Sequence, residues 1–575
     1  MSILPMKLVV GVSLALLLFL LVKNKFKPGI LFASLAGFYY ILGYLDFKSL
    51  TSSYTNDSLI SLVLLLLVSL AVEKTIFIEY ISKFIISKNY LLSLFKLGIL
   101  TSAVSAFLNN TAVVASFMSI VKNNKFIAPS KLLIPLSYFA IVGGTLTLIG
   151  TSTNLIVNSF VIQSGLPSLK MFDFFIVGFF ICLFVLLSLM LFNKLLPEYK
   201  DEKINLKEHL IALKVLDTSS LIGKSIQENK LRNLRSLFLL EIQRGSTTIS
   251  PVSHNEIIQK GDELIFSGDI SSFNTLKKFD GLELSQGYEI DTSNLVDTII
   301  TPTSSLIGKK VKEANFRAKF DAAIVSLQRG DSFIKRVGET VLNAGDRLIL
   351  ATGKDFNSRE NLSKNFYILS KIKQNQNFNS KQSFFIILGF LSVIIFSALN
   401  FISFTKALLL FLCFLFVFKF LSLAEIKRRF PFEIFFIVGS SLAITKVLVD
   451  SALAKDLADF IINIFGAYGV YGSFVGVYLI TLLLTEFITN NAAAALAFPI
   501  GFATATALGV NPLPFIFAVA YGASAGFMIP HGYQTHLMVS SLCEYKITDF
   551  IKIGFVVSIV YSAVVLIAVP LVFKF

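Results

Sequence analysis

The sequence predicts an all-α polytopic membrane protein of two inverted repeats with re-entrant hairpins, interrupted by a soluble α/β insert of two tandem copies of one small domain. Three observations carry that expectation. Of the 575 residues, 54% are hydrophobic and 15% charged, with a mean hydropathy of +0.74, far from the composition of a soluble enzyme. Charge is concentrated in the middle, where residues 197–382 hold 27 of the 51 Lys and Arg and 23 of the 36 Asp and Glu. Finally, motifs recur twice, once inside the insert and once across the two apolar halves.

The first apolar run, Leu8 to Val22, precedes Lys23, Lys25 and Lys27 without a small-residue cleavage site, so an uncleaved membrane helix is expected rather than a leader. Further apolar segments read at about 30–45, 58–81, 90–121, 131–162, 171–196, 383–403, 405–424, 432–449, 471–508, 511–543 and 550–573. Several exceed the ~20 residues that span a bilayer. They must fold as two spans with a tight turn, as re-entrant hairpins, or as a span joined to an amphipathic helix. The net charge of +15 lies mostly in these apolar parts, where cytoplasmic loops collect Lys and Arg, so the partner is the lipid bilayer and not nucleic acid. Cys182, Cys413 and Cys543 are far apart and unpaired in spacing, which suggests neither a disulfide framework nor a zinc site. With four histidines, no transition-metal chemistry is expected.

Within the insert, Ser219-Ser220-Leu221-Ile222-Gly223-Lys224 recurs as Ser304-Ser305-Leu306-Ile307-Gly308-Lys309, Arg244-Gly245 as Arg329-Gly330, and Gly261-Asp262 as Gly345-Asp346. Three matches at nearly one offset predict a tandem duplication. In each copy a buried strand (Leu237–Gln243, Ala322–Gln328) and a second strand after the Gly-Asp turn (Glu263–Phe266, Arg347–Leu350) are expected. This order of motifs resembles the C-terminal domain of the RCK (TrkA-type) regulators of potassium transport, over about 205–290 and 291–372. The resemblance implies either an unknown small regulatory ligand or a dimerisation or spacer module; no phosphate-binding glycine loop is present, and no other cofactor is expected.

The membrane halves repeat as well. Phe107-Leu108-Asn109-Asn110-Thr111-Ala112 is followed by Gly150-Thr151-Ser152-Thr153-Asn154, and Phe487-Ile488-Thr489-Asn490-Asn491-Ala492 by Gly532-Tyr533-Gln534-Thr535-His536. Secondary transporters commonly use such repeats, with broken helices meeting near the midplane. A dehydrated cation or an anion at that depth needs oxygen ligands or N–H donors, and a helix interrupted at Asn-Asn-Thr exposes both. A plain helix whose Asn side chains bond a neighbour is the duller alternative. Lys96, Lys122 and Lys125 flank the first cluster, whereas no Lys or Arg lies between Lys455 and Lys546. That contrast predicts hairpins entering from opposite faces, with residues 197–382 cytoplasmic.

These motifs resemble the divalent anion:sodium symporter family, which carries sulfate and di- or tricarboxylates, with Ser-Asn-Thr at two hairpin tips and a Thr-Pro-Pro-Asn-like loop after each. Asn109-Asn110-Thr111 and Thr489-Asn490-Asn491 match the tips, and Thr151–Asn154 and Tyr533–His536 the loops; Asn109, Thr489 and Asn491 depart from the pattern, and both loops lack the prolines. The likeness spans residues 1–196 and 383–575. It implies sodium ligands at Ser105, Asn109, Asn110 and Gly150 in one half and at Thr485, Asn490 and Gly532 in the other. It implies anion contacts from Asn110, Thr111, Thr153, Asn154, Asn490, Asn491, Thr535 and His536, with Glu486 in support. Sodium would be the coupling metal. The expected protein is thus not an enzyme but a sodium-coupled symporter of a small anion, working by alternating access, homodimeric, in a bacterial inner membrane. A sodium/proton antiporter or oxyanion exporter of the same superfamily is the alternative, and an RCK-gated potassium channel a more distant one, since Gly469-Val470-Tyr471-Gly472 lacks the filter pattern.

Charged residues in apolar surroundings are costly, so Glu73-Lys74 and Glu486 invite functional readings, although Glu73 also fits a helix end near water. Lys446 should snorkel or pair with Asp450. His536 stands where the family carries Asn, and a hydrogen-bonding replacement is expected there rather than a proton carrier.

Overall fold

The computed structural model describes residues 3–575 except 24–25, 200–209, 232–233, 235–236, 246, 250–251, 269–275, 277–278, 286–294, 302–303, 330–331, 335–336, 354, 360–361, 370–377 and 544. It divides into two units. One comprises residues 1–198, 377–536 and 547–575; the other comprises 199–376 and 537–546.

The first unit is helical. Seven of its helices are long and apolar enough to cross a membrane, at 6–23, 47–73, 380–398, 432–450, 453–487, 490–508 and 547–572. Shorter apolar helices include Tyr90–Ser105, Asn110–Lys122, Ser130–Gly144, Phe175–Leu191 and Leu513–Gly522. The long apolar stretches resolve into pairs, as their length requires. Residues 90–121 become Tyr90–Ser105 and Asn110–Lys122, and 471–508 become Gly469–Phe487 and Asn490–Leu508. Two helices lie outside the expected segments. Phe47–Tyr54 is capped by Asp46, which accepts the Ser49 N–H, and Leu453–Phe465 is amphipathic, burying Ala454, Ala458 and Ile461 while Phe460 and Ile464 stay exposed. Neither shows as an apolar run, because each carries polar residues on one face.

Close helix contacts set the geometry of the interior. A methyl group at Gly143 would lie 2.5 Å from the Ser102 Cα, so Ser130–Gly144 and Tyr90–Ser105 touch backbone to backbone. In the second half, a methyl at Gly522 would lie 3.0 Å from the Thr481 Cβ, joining Leu513–Gly522 to Gly469–Phe487. Small residues are what permit such approach in an apolar medium. Glu73 ends its helix and meets Arg429 at 3.5 Å, while Lys74 meets Glu425 at 2.6 Å, so this charged pair belongs to a helix end. Lys446 pairs with Asp450 at 3.3 Å.

The second unit holds two five-stranded antiparallel sheets. The first contains β1 (Leu210–Val215), β2 (Leu237–Arg244), β3 (Thr247–Ile249), β4 (Glu263–Gly268) and β5 (Leu282–Leu284), in the order β3-β2-β4-β1-β5. The second contains β6 (Leu295–Ile300), β7 (Ala322–Arg329), β8 (Ser332–Phe333), β9 (Arg347–Thr352) and β10 (Phe366–Ile368), in the order β8-β7-β9-β6-β10. Position for position the orders are the same, and the register shifts once in each sheet, between Leu239 and Glu241 and between Ile324 and Ser326. The repeated dipeptides have a physical reason. Arg244 forms a fork to Asp262 (2.8 and 2.9 Å) and Arg329 a fork to Asp346 (2.7 and 2.7 Å). The buried aspartates also accept the Gln259 and Asn343 N–H groups, which fastens the turn before each following strand. Gly261 (φ 80°) and Gly345 (φ 84°) supply the left-handed residue those turns need. Gly330 of the second Arg-Gly pair lies outside the described residues, as do 205–209, 286–290 and parts of 291–372. Each sheet covers its own apolar core, and Leu240 and Ile265 of the first meet Ala323, Val325, Ile349 and Ala351 of the second in a shared cluster.

Candidate functional site

In the first half the chain leaves the helix Tyr90–Ser105, turns through residues 106–109, and re-enters a helix at Asn110. Asn109 is the N-cap of the new helix: its side chain accepts the Thr111 N–H at 3.0 Å, and it is exposed, whereas Asn110 is buried. The Ser105 Oγ lies 2.7 Å from the Asn110 Oδ1 and 2.8 Å from the Ala140 carbonyl oxygen. In the second half Gly469–Phe487 breaks at Ile488 and Thr489, and the next helix starts at Asn490, which is buried beside an exposed Thr489. There the Thr485 Oγ1 lies 2.9 Å from the Asn490 Oδ1 and 2.7 Å from the Ala523 carbonyl oxygen. Each half thus holds three oxygens at hydrogen-bond distance around one hydroxyl hydrogen, which can be given to only one acceptor at a time.

A loop backs each tip. In the first half a methyl at Gly144 would stand 2.7 Å from the Asn110 Oδ1, and one at Gly150 2.5 Å from the Gly144 carbonyl oxygen. The Gly144 backbone therefore lies close against Asn110, and the Gly150 backbone close against Gly144 and Ala106. Thr147, which sequence reasoning passed over, donates to the Ala106 carbonyl and accepts the Gly150 N–H at 3.1 Å, tying loop to tip. The second loop is looser: methyls at Gly526 and Gly532 would lie 3.5 and 3.7 Å from the Thr485 carbonyl oxygen. The buried Glu486 Oε1 accepts the N–H groups of Phe527 (3.1 Å) and Met528 (3.3 Å), so its carboxylate supports this loop rather than its own tip. Among the described residues its Oε2 has no hydrogen-bond partner.

Asn154 and His536 are fully buried and engaged with their own loops. Asn154 donates to the Thr147 carbonyl at 2.9 Å. The His536 Nε2 is 3.0 Å from the Gly526 carbonyl oxygen and its Nδ1 is 2.7 Å from the Ser137 Oγ. A carbonyl only accepts, so Nε2 carries hydrogen, and a neutral ring with Nδ1 accepting from Ser137 satisfies both contacts. Thr153 and Thr535 are also buried. Among the described residues, the buried Asn154 Oδ1, Glu486 Oε2 and Thr535 Oγ1 have no hydrogen-bond partner, while the Tyr533 hydroxyl faces Asn490, Ser524 and Thr151. In native proteins such atoms call for an ion, water or ligand.

Among the hydrogen bonds that cross between the halves, two join the tip of one half to the loop of the other. Thr111 Oγ1 lies 3.4 Å from Gln534 Oε1, and Ser152 Oγ lies 2.9 Å from Asn491 Oδ1. Ser152 and Gln534 were visible inside the quoted loop motifs but carried no assigned role, because their side chains act across a sequence separation that spacing alone does not reveal.

The citrate transporter family profile matches residues 6–522, and a second match covers 394–575. The chain belongs to the citrate transporter family. It is an integral membrane protein of a transporter family, with seven helices able to span. A protein of Chlamydomonas reinhardtii named as a sulfur deprivation response regulator is 28% identical over 559 residues, covering 92% of this chain and 95% of its own. An uncharacterized transporter, sll0640, of Synechocystis is 27% identical, covering 88% of this chain and 87% of its own. Sodium/sulfate cotransporter 1 of Chlamydomonas reinhardtii is 26% identical over 364 residues, covering 60% of this chain and 41% of its own. The citrate transporter family and these relatives point to transport rather than to an enzyme.

Proposed function

We propose that this member of the citrate transporter family is a sodium-coupled symporter of a small anion, working by alternating access, with its two halves related as inverted repeats. The observation that carries the reading is the matched pair of oxygen triads, Ser105–Asn110–Ala140 and Thr485–Asn490–Ala523. Hard cations such as sodium take oxygen ligands of this kind. The anion is bound at the tips, where helices begin at Asn110, Ser152 and Asn490 and where Thr111 and Asn491 are their second residues. Sodium bound at each triad adds the positive charge that the neutral site otherwise lacks. Sodium/sulfate cotransporters among the relatives support both the ion and the anion. The duplicated soluble unit, similar in motif order to RCK C-terminal domains, is cytoplasmic and regulates transport.

The test is uptake of radiolabelled sulfate, succinate and citrate by purified protein in proteoliposomes, with an inward sodium gradient, an inward proton gradient, or neither. Accumulation of one of these anions only under the sodium gradient is expected. Accumulation driven equally by protons alone would contradict sodium coupling.

A further inference from the structure

One short helix, Gln534–Ser540, is shared between the two units: Gln534, Thr535 and His536 belong to the helical unit, whereas residues 537–546 belong with 199–376. In the helical unit His536 is held by the Gly526 carbonyl and by Ser137. In the other unit the residues that follow meet the turn that opens β9. The Ser541 hydroxyl donates to the Gly345 carbonyl, and it lies 2.7 Å from the Leu537 carbonyl oxygen. Asp297 aims the Arg347 guanidinium by accepting Nε at 3.0 Å and Nη2 at 2.8 Å, and Nη1 reaches the Leu542 carbonyl oxygen at 3.4 Å. Leu542 stands beyond the last helical residue, where carbonyls need partners from outside the helix. A methyl at Gly345 would lie 3.3 Å from the Ser541 Oγ and 3.7 Å from the Leu537 carbonyl oxygen.

The duplication supplies its own comparison. Gly261-Asp262 makes the same turn before β4, with φ 80° at Gly261 against 84° at Gly345 and an equivalent Arg-Asp fork. Yet a methyl at Gly261 would meet nothing within 4 Å among the described residues. Where the second copy has Arg347, the first has Glu263, which accepts the Ser285 hydroxyl at 2.8 Å. Of two equivalent turns, then, one is open and the other holds the chain that leaves the second site loop.

We propose that the turn Gly345–Arg347 of the second copy is the coupling contact through which the duplicated unit regulates transport: by gripping residues 537–542 it sets the position of the helix Gln534–Ser540 and, through that helix, of the second site loop. This deepens the transport reading and rests on it. His536 and Leu537 are consecutive residues of one helix. A displacement of the turn therefore reaches Thr535 and His536 along hydrogen-bonded backbone, with no flexible linker between. Alternating access gives the loop more than one arrangement, and a grip that fits one of them better than another shifts the balance between them. The first copy, whose turn is open, has no such hold and acts only through the second.

The experiment measures maximal rates of sodium-driven uptake by the full-length protein in proteoliposomes, with whichever of radiolabelled sulfate, succinate and citrate the wild type accumulates. Ser541→Ala and Gly345→Ala each change the maximal rate at least about threefold, in the same direction, and the double variant changes it no further, because both act at one contact. Ser541→Thr, which keeps the hydroxyl, restores the wild-type rate. Gly261→Ala places the same backbone strain in the open turn of the first copy and leaves the rate within about 1.5-fold of wild type. Where Gly345→Ala folds poorly by its melting in detergent, Arg347→Gln takes its place, since it removes the reach to Leu542 without touching the turn backbone. Wild-type rates in both Ser541→Ala and the variant at 345 or 347 overturn the coupling contact. Equal effects of Gly261→Ala and Gly345→Ala overturn it as well, since they would report damage to the fold of either copy. No sodium-driven uptake of any of the three anions by the wild type overturns the transport reading, and this proposal with it, before any substitution is compared.

Discussion

At Ser105 and Thr485 one hydroxyl hydrogen faces two acceptor oxygens, and at His536 two ring nitrogens face a carbonyl and a serine. Each hydroxyl site gathers two further oxygens, whereas both ring nitrogens of His536 have protein partners. His536 therefore braces the second loop against Ser137, a residue of the first half. Its removal should cost stability: His536→Ala orphans the Gly526 carbonyl and Ser137, worth about 1–3 kcal/mol, while His536→Gln keeps one of the two contacts. Melting in detergent should rank wild type above His536→Gln above His536→Ala, and equal melting of all three would contradict the bracing role. Part of this was readable from residue type. A histidine in an apolar stretch announces a hydrogen-bonded group, but its partner Ser137 is 399 positions away, and no local pattern connects them.

Element by element, the breaks between helices were legible wherever two polar residues interrupt a long apolar run, as at Asn109-Asn110 and Thr489-Asn490, because a bilayer does not tolerate an unsupported break there. The amphipathic helix Leu453–Phe465 was not legible by the same means, since Lys455, Asp456, Asp459 and Asn463 interrupt its apolar residues. Strands β2, β4, β7 and β9 follow from their apolar runs, but the edge strands β3, β5, β8 and β10 are two or three residues long and leave no period to read. The glycines separate the two loops. Methyls at Gly144 and Gly150 meet atoms at 2.7 and 2.5 Å, while those at Gly526 and Gly532 find nothing nearer than 3.5 and 3.7 Å. Gly144→Ala and Gly150→Ala should reduce uptake at least tenfold at equal surface expression, and Gly526→Ala and Gly532→Ala by less than threefold, as judged from steric contact. Sensitivity of equal size in both loops would show that the first loop is not the tighter of the two.

For the whole molecule, the candidate ion and anion groups all lie in the helical unit of residues 1–198, 377–536 and 547–575. Replacing about 205–372 with a flexible linker able to join the halves should therefore leave sodium-driven uptake measurable while changing its rate. Complete loss of uptake in correctly inserted protein would make the soluble unit part of the transport machinery. The composition already marked that unit as foreign to its surroundings, and its repeat was readable because the Arg-Asp forks preserve the same dipeptides in both copies. The central claim is that both triads bind sodium, and the most direct measurement is the sodium concentration dependence of sulfate uptake in Asn110→Ala and Asn490→Ala at equal expression. Each substitution removes one ligand oxygen from one triad, so both variants should need about tenfold more sodium for half-maximal uptake and show a shallower sodium dependence, for the loss of a contact to a charged group. Sodium curves superimposable on the wild type in both variants would contradict the account.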